Sequence, residues 1–331
     1  MNPILSVIIP CYNCASVITR CLDSIDYPNA EIIIVNDGST DQSKEVVEQY
    51  IETHSDARHI RLFNKSNGGV SSARNVGIRE STGKYLCCVD ADDYLMEDGL
   101  KRMVVLAEQE HADVVLYTAN YTNEENLIPQ RSVKDDTIST EIFKTGKEIL
   151  TRYDIADYYV WDAIYSRKLI VDNNIIFPED VCLHEDDVFK GEIYSCSLKV
   201  IVTDLPLYCY VRSSSQSSTH NQSIQRQRVL IESCWRAVAY RKRYITERCP
   251  SVMPMERFKY MRYVIPPKVA KKAHLSLIEY KKILEKFREL DVYPLDYKWI
   301  EIAHWYAPLY QKLKYVVKTF LTNHPNFAYL F

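Results

Sequence analysis

Residues 1–100 alternate short apolar runs with amphipathic segments, and this alternation limits the fold more than any other feature of the chain. The apolar runs suit buried strands, and the segments between them repeat apolar residues at helical spacing. Strands alternating with helices across short loops are typical of an α/β fold, in which helices cover both faces of a mostly parallel, Rossmann-like sheet. The predicted strands are Leu5 to Pro10, Glu31 to Val35, His59 to Phe63 and Tyr85 to Val89, and the helices between them are Cys14 to Ser24, Gln42 to Thr53 and Ser71 to Arg79.

The rest of the chain continues less regularly and ends in a helical region. From about Ile224, long basic and aromatic-rich segments show helical spacing. We therefore predict an α/β domain over residues 1–223 and a helical C-terminal region over residues 224–331. Further strands are predicted at Asp113 to Tyr117, Tyr158 to Tyr165 and Lys199 to Tyr210, loops at Thr122 to Thr140 and His184 to Asp187, and C-terminal helices at Arg226 to Thr246, Val269 to Leu290 and Tyr297 to Leu321.

Charge is divided unevenly between these two parts. Residues 1–225 carry 20 Lys and Arg against 35 Asp and Glu, whereas residues 226–331 carry 21 against 9, although the net charge of the chain is only −3. A basic tail favours contact with something anionic, namely a membrane surface, a phosphorylated substrate or the acidic domain itself. The basic, aromatic helix predicted at Tyr297 to Leu321 suits an anionic membrane surface, and it equally suits packing against the first domain. No nucleic-acid partner is expected.

Cysteine usage and the lengths of apolar runs predict a cytoplasmic location. Ten cysteines are spread along the chain, and Cys87 and Cys88 lie inside a predicted buried strand, so we expect reduced thiols. The run Ile4 to Ile9 is too short for a signal peptide, and no run reaches the roughly 18 apolar residues of a membrane-spanning helix. Cys11 and Cys14 have the spacing of a redox motif, but the surrounding strand and helix pattern favours a different function. The prediction is a cytoplasmic protein, and contact of the basic tail with a membrane, where that alternative holds, would place it peripherally on the inner face of the cell membrane.

Three carboxylates end the fourth predicted strand. Asp90, Asp92 and Asp93 follow Tyr85 to Val89 at the carboxyl end of that strand, where open α/β sheets bind their ligands. Carboxylates this close repel one another unless a cation lies among them, and oxygen ligands suit Mg²⁺ or Mn²⁺. A metal site is therefore the working hypothesis. The alternative is an ordinary strand end, in which Asp93 caps a helix near Met96 to Gln109.

Polar residues also follow the other three predicted strands. After the first, Tyr12 offers a ring for stacking on a nucleobase and Asn13 an amide for reading its edge. Asp37 after the second can accept a hydrogen bond from a base or a ribose hydroxyl. After the third, Asn67 precedes two glycines that let the backbone approach a ligand, and Arg74 can meet a phosphate or orient a carboxylate of the acidic strand end. For Tyr12 and Asn13, and for Asp37, an ordinary turn is the alternative.

These strand ends carry motifs in a definite order. The sequence reads Ser-Val-Ile-Ile-Pro-Cys-Tyr-Asn at residues 6–13, Ile-Ile-Val-Asn-Asp-Gly-Ser-Thr-Asp at 33–41, Asn-Gly-Gly at 67–69 with Ala-Arg-Asn at 73–75, and Asp-Ala-Asp-Asp at 90–93. In order and spacing the four blocks resemble glycosyltransferase family 2, the inverting nucleotide-sugar transferases with the GT-A fold. The resemblance is specific over residues 4–100 and weaker to about residue 220.

The resemblance implies a role for each strand end. Residues 1–100 would form the nucleotide-sugar-binding part of a GT-A catalytic domain, and residues 101–223 its acceptor-side part. Asp-Ala-Asp looks like the D-x-D motif, in which Asp90 approaches the ribose and Asp92 binds the Mn²⁺ or Mg²⁺ that bridges the diphosphate, with Asp90 and His220 as further metal candidates. The residues that would hold the base and ribose of the donor, or line the same pocket, are Pro10, Tyr12, Asn13, Asp37, Asn67 and Arg74.

The acidic run His-Glu-Asp-Asp at residues 184–187 resembles the Glu-Asp block of the family. In that block the aspartate takes the proton of the acceptor, which makes Asp186 the candidate catalytic base, with Glu185 and Asp187 as weaker candidates. Without the resemblance, a solvated helix start is the plainer interpretation of this run.

Two further residues extend the resemblance. Trp161 resembles the acceptor-side tryptophan of the family and would stack on a sugar ring, with a core tryptophan as the alternative. Arg212 and the serines after it resemble the loop that closes over the diphosphate.

The predicted function is metal-assisted, inverting transfer of one sugar from a nucleoside-diphosphate sugar to a glycan or lipid-linked glycan, in the synthesis of a cell-surface polysaccharide. A UDP-sugar is the favoured donor. A nucleotidyltransferase also uses a nucleotide pocket and paired aspartates on Mg²⁺, but it usually needs a basic triphosphate loop, and none is obvious here. A binding protein for nucleotide sugars or glycans that has lost turnover is the alternative outside catalysis.

Overall fold

Residues 3–54, 59–122, 138–151, 159–212, 223–253, 263–293 and 318–330 are described by the computed structural model, and they contain one sheet covered by helices. Its first part consists of strands β1 (Leu5–Cys11), β2 (Ala30–Asp37), β3 (His59–Lys65) and β4 (Tyr85–Cys88) with helices α1 (Ile18–Asp23), α2 (Ser43–His54) and α3 (Val70–Glu80). The four strands are parallel and lie in the order β3, β2, β1, β4. Their carboxyl ends therefore meet at one edge of the sheet.

Helices cover both faces of these strands. On one face, Ile34 of β2 belongs to the same apolar core as Ile18 of α1 and Val47 of α2. On the other face, Ile33 packs in a smaller cluster with Ala73 of α3. Every residue of β2 is buried, as expected for a strand that is covered on both sides. The predicted fold class is confirmed.

The second part of the sheet is mixed in direction. Its elements are β5 (Tyr94–Leu95), α4 (Gly99–Glu110), β6 (Val114–Thr122), β7 (Thr140–Phe143), α5 (Gly146–Thr151), β8 (Ala163–Ser166), α6 (Arg167–Asp172) and β9 (Val200–Val211). The sheet order continues from β4 as β8, β6, β9, β5, with β7 beside β9. Strand β8 runs antiparallel to both of its neighbours, β9 runs parallel to β6, and β5 and β7 pair antiparallel with β9.

The chain packs into two units that alternate along the sequence. The first comprises residues 1–146, 158–179 and 196–217, and the second comprises residues 147–157, 180–195 and 218–331. All strands of the described sheet lie in the first unit. The predicted domain boundary between residues 223 and 224 would instead place residues 180–195 in the same domain as the sheet. Among the described residues, the second unit contains most of α5, a helical stretch at residues 318–323, and the helices α7 (Glu185–Cys196), α8 (Ile224–Arg248), α9 (Pro267–Lys272), α10 (Leu277–Glu289) and α11 (Pro325–Leu330).

Three local predictions are wrong. The helix predicted at Met96 to Gln109 begins at Gly99 with Asp98 before it, so Asp93 is not its cap. The predicted acidic loop at residues 184–187 is the start of α7, where carboxylates favour the N-terminal end of the helix dipole. The single helix predicted at Val269 to Leu290 is divided into α9 and α10, because the backbone turns through a left-handed residue at 274 and a serine–glutamate capping box starts α10.

Other predictions are met in part or lie outside the described residues. Of the strand predicted at Tyr158 to Tyr165, residues 160–162 form a 3₁₀ turn and only β8 is extended. Residues 123–137 of the predicted surface loop, His220 with residues 213–219, and residues 297–317 of the last predicted helix lie outside the described ranges. Within those ranges, no helix is both long and apolar enough to cross a membrane.

Candidate functional site

The loops that follow β1 and β2 are joined by hydrogen bonds. Asn13, whose φ of 51° is left-handed, accepts at Oδ1 from the backbone N–H of Thr40 at 2.8 Å and donates its own backbone N–H to Ser39 Oγ at 3.1 Å. The amide oxygen that was predicted to read a base edge therefore holds the neighbouring loop in place. Tyr12 beside it is 52% exposed, so its ring is open to a ligand, and Pro10 is half-buried at the end of β1.

Asp37 ends β2, and its carboxylate is surrounded by donors from the protein itself. The carboxylate accepts from Lys65 Nζ at 2.5 Å and from the backbone N–H groups of Gly68 at 2.9 Å and Gly69 at 2.8 Å. Gly69 has a φ of 86°, which a residue with a side chain rarely adopts. Asn67 donates its side-chain N–H to the Asp37 carbonyl oxygen at 2.9 Å. In this conformation Asp37 shapes the glycine loop, and direct contact with a base or ribose requires one of these donors to be displaced.

Arg74 of α3 lies against Asp90. Its Nη2 donates to Asp90 Oδ1 at 3.0 Å, and its guanidinium stands 5.3 Å from the centre of the Phe177 ring. The Arg74 side chain is 4% exposed, whereas the Asp90 side chain is 28% exposed. The arginine is thus buried behind the carboxylate, and the carboxylate reaches the surface of the sheet edge.

Asp92 is a half-buried carboxylate next to Asp90. Burial raises the pKa of Asp92, and the negative charge of Asp90 raises it further. Arg20 of α1 donates Nη2 to the Asp92 carbonyl oxygen and so fixes the backbone of this turn. A cation bound between the two acids would reverse the penalty on the charged form of Asp92.

Asp93 holds the same turn to β9. Its carboxylate is 1% exposed and accepts from the Tyr208 hydroxyl at 2.7 Å and from the Val211 backbone N–H at 2.8 Å. Burial and the charge of Asp90 raise the pKa of Asp93 to about 8. The Tyr208 oxygen also accepts from the Asp90 backbone N–H at 3.1 Å. Tyr208 was missed by the sequence analysis, and the apolar pattern of its strand contains no sign of this contact.

The paired acids fit a divalent cation that is shared with a substrate. Within the described ranges, no group of three or more His, Cys, Asp and Glu side chains is arranged to hold a metal ion by itself. In nucleotide-binding sites, however, Mg²⁺ is commonly held by one or two carboxylates together with the phosphates of the substrate. Asp92 and Asp90 are two neighbouring carboxylates of this kind, and the negative charge of Asp90 adds to the effect of burial in raising the pKa of Asp92. His220, the other metal candidate, lies outside the described residues.

Trp161 is 3% exposed and lies in an aromatic stack. The Trp161 ring stacks on the Tyr208 ring, with centroids 4.3 Å apart, and on the nearly parallel Tyr159 ring, with centroids 4.8 Å apart. Tyr159 is 43% exposed. In this conformation, Tyr159 presents more ring surface to solvent than the tryptophan that was predicted to stack on a sugar.

The predicted base lies in the second unit. Glu185 and Asp186 are half-buried in the first turn of α7, whereas Asp187 is only 8% exposed and accepts from the Tyr263 hydroxyl at 2.9 Å. Asp187 therefore differs in burial from Glu185 and Asp186, although the sequence presents the three acids as one run.

The comparison with protein families gives the class of this chain. A family profile described as "Glycosyl transferase family 2" matches residues 6–172, about half of the chain, and this region contains all four strand ends. The chain belongs to glycosyl transferase family 2, and the predicted family is confirmed.

Among curated relatives, the uncharacterized glycosyltransferase EpsJ of Bacillus subtilis (strain 168) is 36% identical over 219 residues, which are 63% of this chain and 61% of that protein. The uncharacterized glycosyltransferase YibD of Escherichia coli (strain K12) is 34% identical over 226 residues, which are 66% of this chain and 64% of that protein. The chain thus spans less than two thirds of the length of either relative.

Two solved structures share the fold. Staphylococcus aureus TarS 1-349 in complex with UDP-GlcNAc superposes with a TM-score of 0.55 at 21% identity, covering 87% of this chain and 88% of that one. The mannosyltransferase PcManGT of Pyrobaculum calidifontis in complex with GDP-Man and Mn²⁺ gives a TM-score of 0.54 at 17% identity, covering 98% of this chain and 87% of that one. At these identities the likeness concerns the fold, and the GT-A architecture is confirmed.

Proposed function

We propose that this protein transfers one sugar from a nucleoside-diphosphate sugar, by preference a UDP-sugar, to a glycan or lipid-linked glycan acceptor in cell-surface polysaccharide synthesis. The observation that carries the proposal is the carboxyl edge of β1 to β4, where the four strand ends lie together and Asp90, bound by Arg74, stands beside the half-buried carboxylate of Asp92. The relative TarS of S. aureus is named a poly(ribitol-phosphate) β-N-acetylglucosaminyltransferase, which supports both donor and acceptor class.

Asp92 and Asp90 would hold Mn²⁺ or Mg²⁺ together with the diphosphate of the donor. The cation would stabilise the negative charge that develops on the departing diphosphate. Arg20 keeps the backbone of Asp92 in place, and Arg74 keeps the carboxylate of Asp90 in place, so the acid pair is organised before the donor binds. The buried Asp93 supports the same turn from beneath.

The nucleoside would lie over the first two strand ends. The exposed ring of Tyr12 supplies a stacking surface beside Pro10, and Asn13 keeps the two loops together. Asp37 acts mainly through the glycine loop that it binds, and Asn67 lies at the start of that loop.

Asp186 is the proposed base for an inverting displacement, with Glu185 beside it on the acceptor side. A base must be within reach of the acceptor hydroxyl whose proton it takes. Asp186 keeps part of its side chain at the surface, whereas Asp187 is buried against other side chains of its own unit. Trp161 and Tyr159 are the proposed aromatic surface for the acceptor sugar.

A panel of nucleotide sugars tests this function. UDP-GlcNAc, UDP-glucose, UDP-galactose and GDP-mannose are incubated with Mn²⁺, and release of the nucleoside diphosphate is followed. We expect one donor to react, with the opposite anomeric configuration in the product, and Asp186→Asn to lose most of the turnover while donor binding changes less than about threefold. Release of pyrophosphate from a nucleoside triphosphate and a sugar phosphate would instead identify a nucleotidyltransferase. Metal-dependent binding of a donor without turnover would identify a binding protein.

A peripheral location on an anionic membrane is a second part of the proposal. It is supported by the excess of 21 Lys and Arg over 9 Asp and Glu in residues 226–331. Flotation of the full chain with vesicles of phosphatidylglycerol and phosphatidylcholine tests it. We expect binding that rises with the phosphatidylglycerol fraction and falls with salt, and absence of flotation at every composition would contradict it.

A further inference from the structure

Asp187 joins the first turn of α7 to other residues of the second unit by hydrogen bonds. Asp187 Oδ2 accepts from the Tyr263 hydroxyl at 2.9 Å and lies 3.0 Å from His184 Nδ1. The His184 ring packs edge-on against the Tyr263 ring, with centroids 4.5 Å apart. His184 has a left-handed φ of 71°, so the residue that leads into the helix is held in a backbone conformation that is uncommon for a side-chain-bearing residue. These contacts fix both the entry to α7 and its third residue.

A side chain of helix α8 binds the backbone of the same turn. Arg241 is fully buried, and its Nη1 donates to the Asp187 carbonyl oxygen at 2.6 Å. The two helices approach closely because residue 191 is a glycine. A Cβ built on Gly191 would lie 2.6 Å from Arg241 Nη1 and 2.1 Å from the Tyr244 hydroxyl oxygen. A buried guanidinium is costly unless it is hydrogen-bonded, so the bond to the Asp187 carbonyl oxygen stabilises Arg241 in this position.

Asp187 and Asp186 differ in burial. Asp187 is 8% exposed, with hydrogen bonds to its side chain and to its backbone, whereas Asp186 immediately before it is half-buried. Consecutive residues on a helix point about 100° apart, so holding Asp187 also determines the direction in which Asp186 leaves the helix. The family profile ends at residue 172, and both anchoring residues lie beyond it.

We propose that Tyr263 and Arg241 are positioning residues of the transfer reaction: by binding Asp187 they hold the helical turn that presents Asp186. The helical C-terminal region is then part of the catalytic machinery. This inference rests on the proposed role of Asp186 as the base.

The test compares Tyr263→Phe with the matched control Tyr280→Phe. Both tyrosines are buried in the second unit, and each substitution removes one hydroxyl that donates a hydrogen bond. The Tyr280 hydroxyl donates to the Ile265 carbonyl oxygen at 2.7 Å. A loss of general stability would appear in both variants, whereas a positioning role belongs to Tyr263 alone.

The first readout needs no substrate. Hydrogen exchange of the full chain, followed by mass spectrometry on peptides that cover residues 184–190, should be faster by about tenfold in Tyr263→Phe and unchanged in Tyr280→Phe. Equal exchange in the two variants would overturn the anchoring role.

The second readout is kinetic and uses the donor of the panel that gives the highest turnover, with nucleoside-diphosphate release as the signal. We expect kcat of Tyr263→Phe to fall by about tenfold or more with the donor KM within about twofold, because the donor contacts are untouched. In a double-mutant cycle, the loss of kcat in the combined variant Tyr263→Phe with Asp187→Asn should be smaller than the sum of the two single losses, since the two residues share one hydrogen bond. Additive losses, or kcat equal to that of Tyr280→Phe, would overturn the proposal.

Asp186→Asn separates this inference from the function on which it rests. If Asp186→Asn loses turnover and Tyr263→Phe does not, positioning is wrong and the base stands. If Asp186→Asn turns over normally, the assignment of the base is wrong, and the positioning role falls with it whatever the exchange data show.

Discussion

Substitution of Asp37 by asparagine tests whether this carboxylate organises the glycine loop. The change keeps the size of the side chain and removes its charge. Lys65 Nζ and the Gly68 N–H share Oδ1 of Asp37, and the Gly69 N–H binds Oδ2. In asparagine one of these two positions is an NH₂ group, so either the Gly68 N–H or the Gly69 N–H loses its acceptor. The Asp37 side chain is only 5% exposed at this place.

The magnitude follows from these contacts. A buried N–H without an acceptor costs about 1–3 kcal/mol. The Lys65 side chain is 21% exposed and can reach water, so loss of its ion pair adds only about 1 kcal/mol. We expect Asp37→Asn to lower the free energy of unfolding of the first unit by about 2–4 kcal/mol.

Urea denaturation measures this loss, and hydrogen exchange at the Gly68 and Gly69 amides locates it. The control is Asp172→Asn, which removes an ion pair with Lys168 on an exposed helix surface, where the Asp172 side chain is 53% exposed. Such a pair contributes about 0.5 kcal/mol or less. Equal stability losses in the two variants, or unchanged exchange at the glycine amides in Asp37→Asn, would refute this account of Asp37.

Three further predictions concern the same unit. Tyr208→Phe should lower the free energy of unfolding of this unit by about 2–4 kcal/mol, because the Asp90 backbone N–H and the buried Asp93 carboxylate both lose a partner. The control Tyr165→Phe removes a hydrogen bond to the Val160 carbonyl oxygen and should cost about 1 kcal/mol. Urea denaturation measures both losses, and equal losses would contradict this. Burial opposes ionisation of Glu31, but hydrogen bonds outweigh it and lower the Glu31 pKa below the ordinary 4.5. The contribution of Glu31 to stability is therefore present above pH 4.5 and is lost as the pH falls through the folded pKa, so the stability difference between the protein and Glu31→Gln should shrink on acidification below pH 4.5; a constant difference would argue against it. Gly77→Ala places a Cβ 2.3 Å from Ile8 Cγ2 and should lower the free energy of unfolding by about 1–3 kcal/mol in thermal melts, whereas an unchanged melting temperature would show that β1 and α3 can separate.

The sequence predicts the architecture well because its signals are local. Strands β1, β2 and β4 contain continuous apolar runs, and the direction of the four strands follows from the strand and helix alternation. The position of the acids at a sheet edge then follows from the direction of the strands. Family motifs identify the same four loops without any coordinates.

The side-chain partners of the site depend on residues that are distant in sequence. Asp93 reads as a helix cap because a helix follows it, but its partner Tyr208 lies 115 positions further along the chain. Asp37 reads as a ligand-binding acid, and only the fold shows that its carboxylate is occupied by Lys65 and the glycine loop. In the same way, the acidic run at residues 184–187 does not reveal which of its acids is anchored, because Tyr263 supplies the answer.

The most direct test of the central claim is the affinity for UDP with and without Mn²⁺, measured by calorimetry on the unchanged chain, on Asp92→Ala and on the exposed control Asp172→Ala. The claim is that the acid pair at the end of β4 binds a cation together with a diphosphate. We predict that Mn²⁺ raises the affinity of the unchanged chain and of Asp172→Ala by about tenfold or more, and that Asp92→Ala loses this gain while still binding UDP weakly in EDTA. Equal affinity with Mn²⁺ and with EDTA in the unchanged chain, or a full gain in Asp92→Ala, would contradict the account.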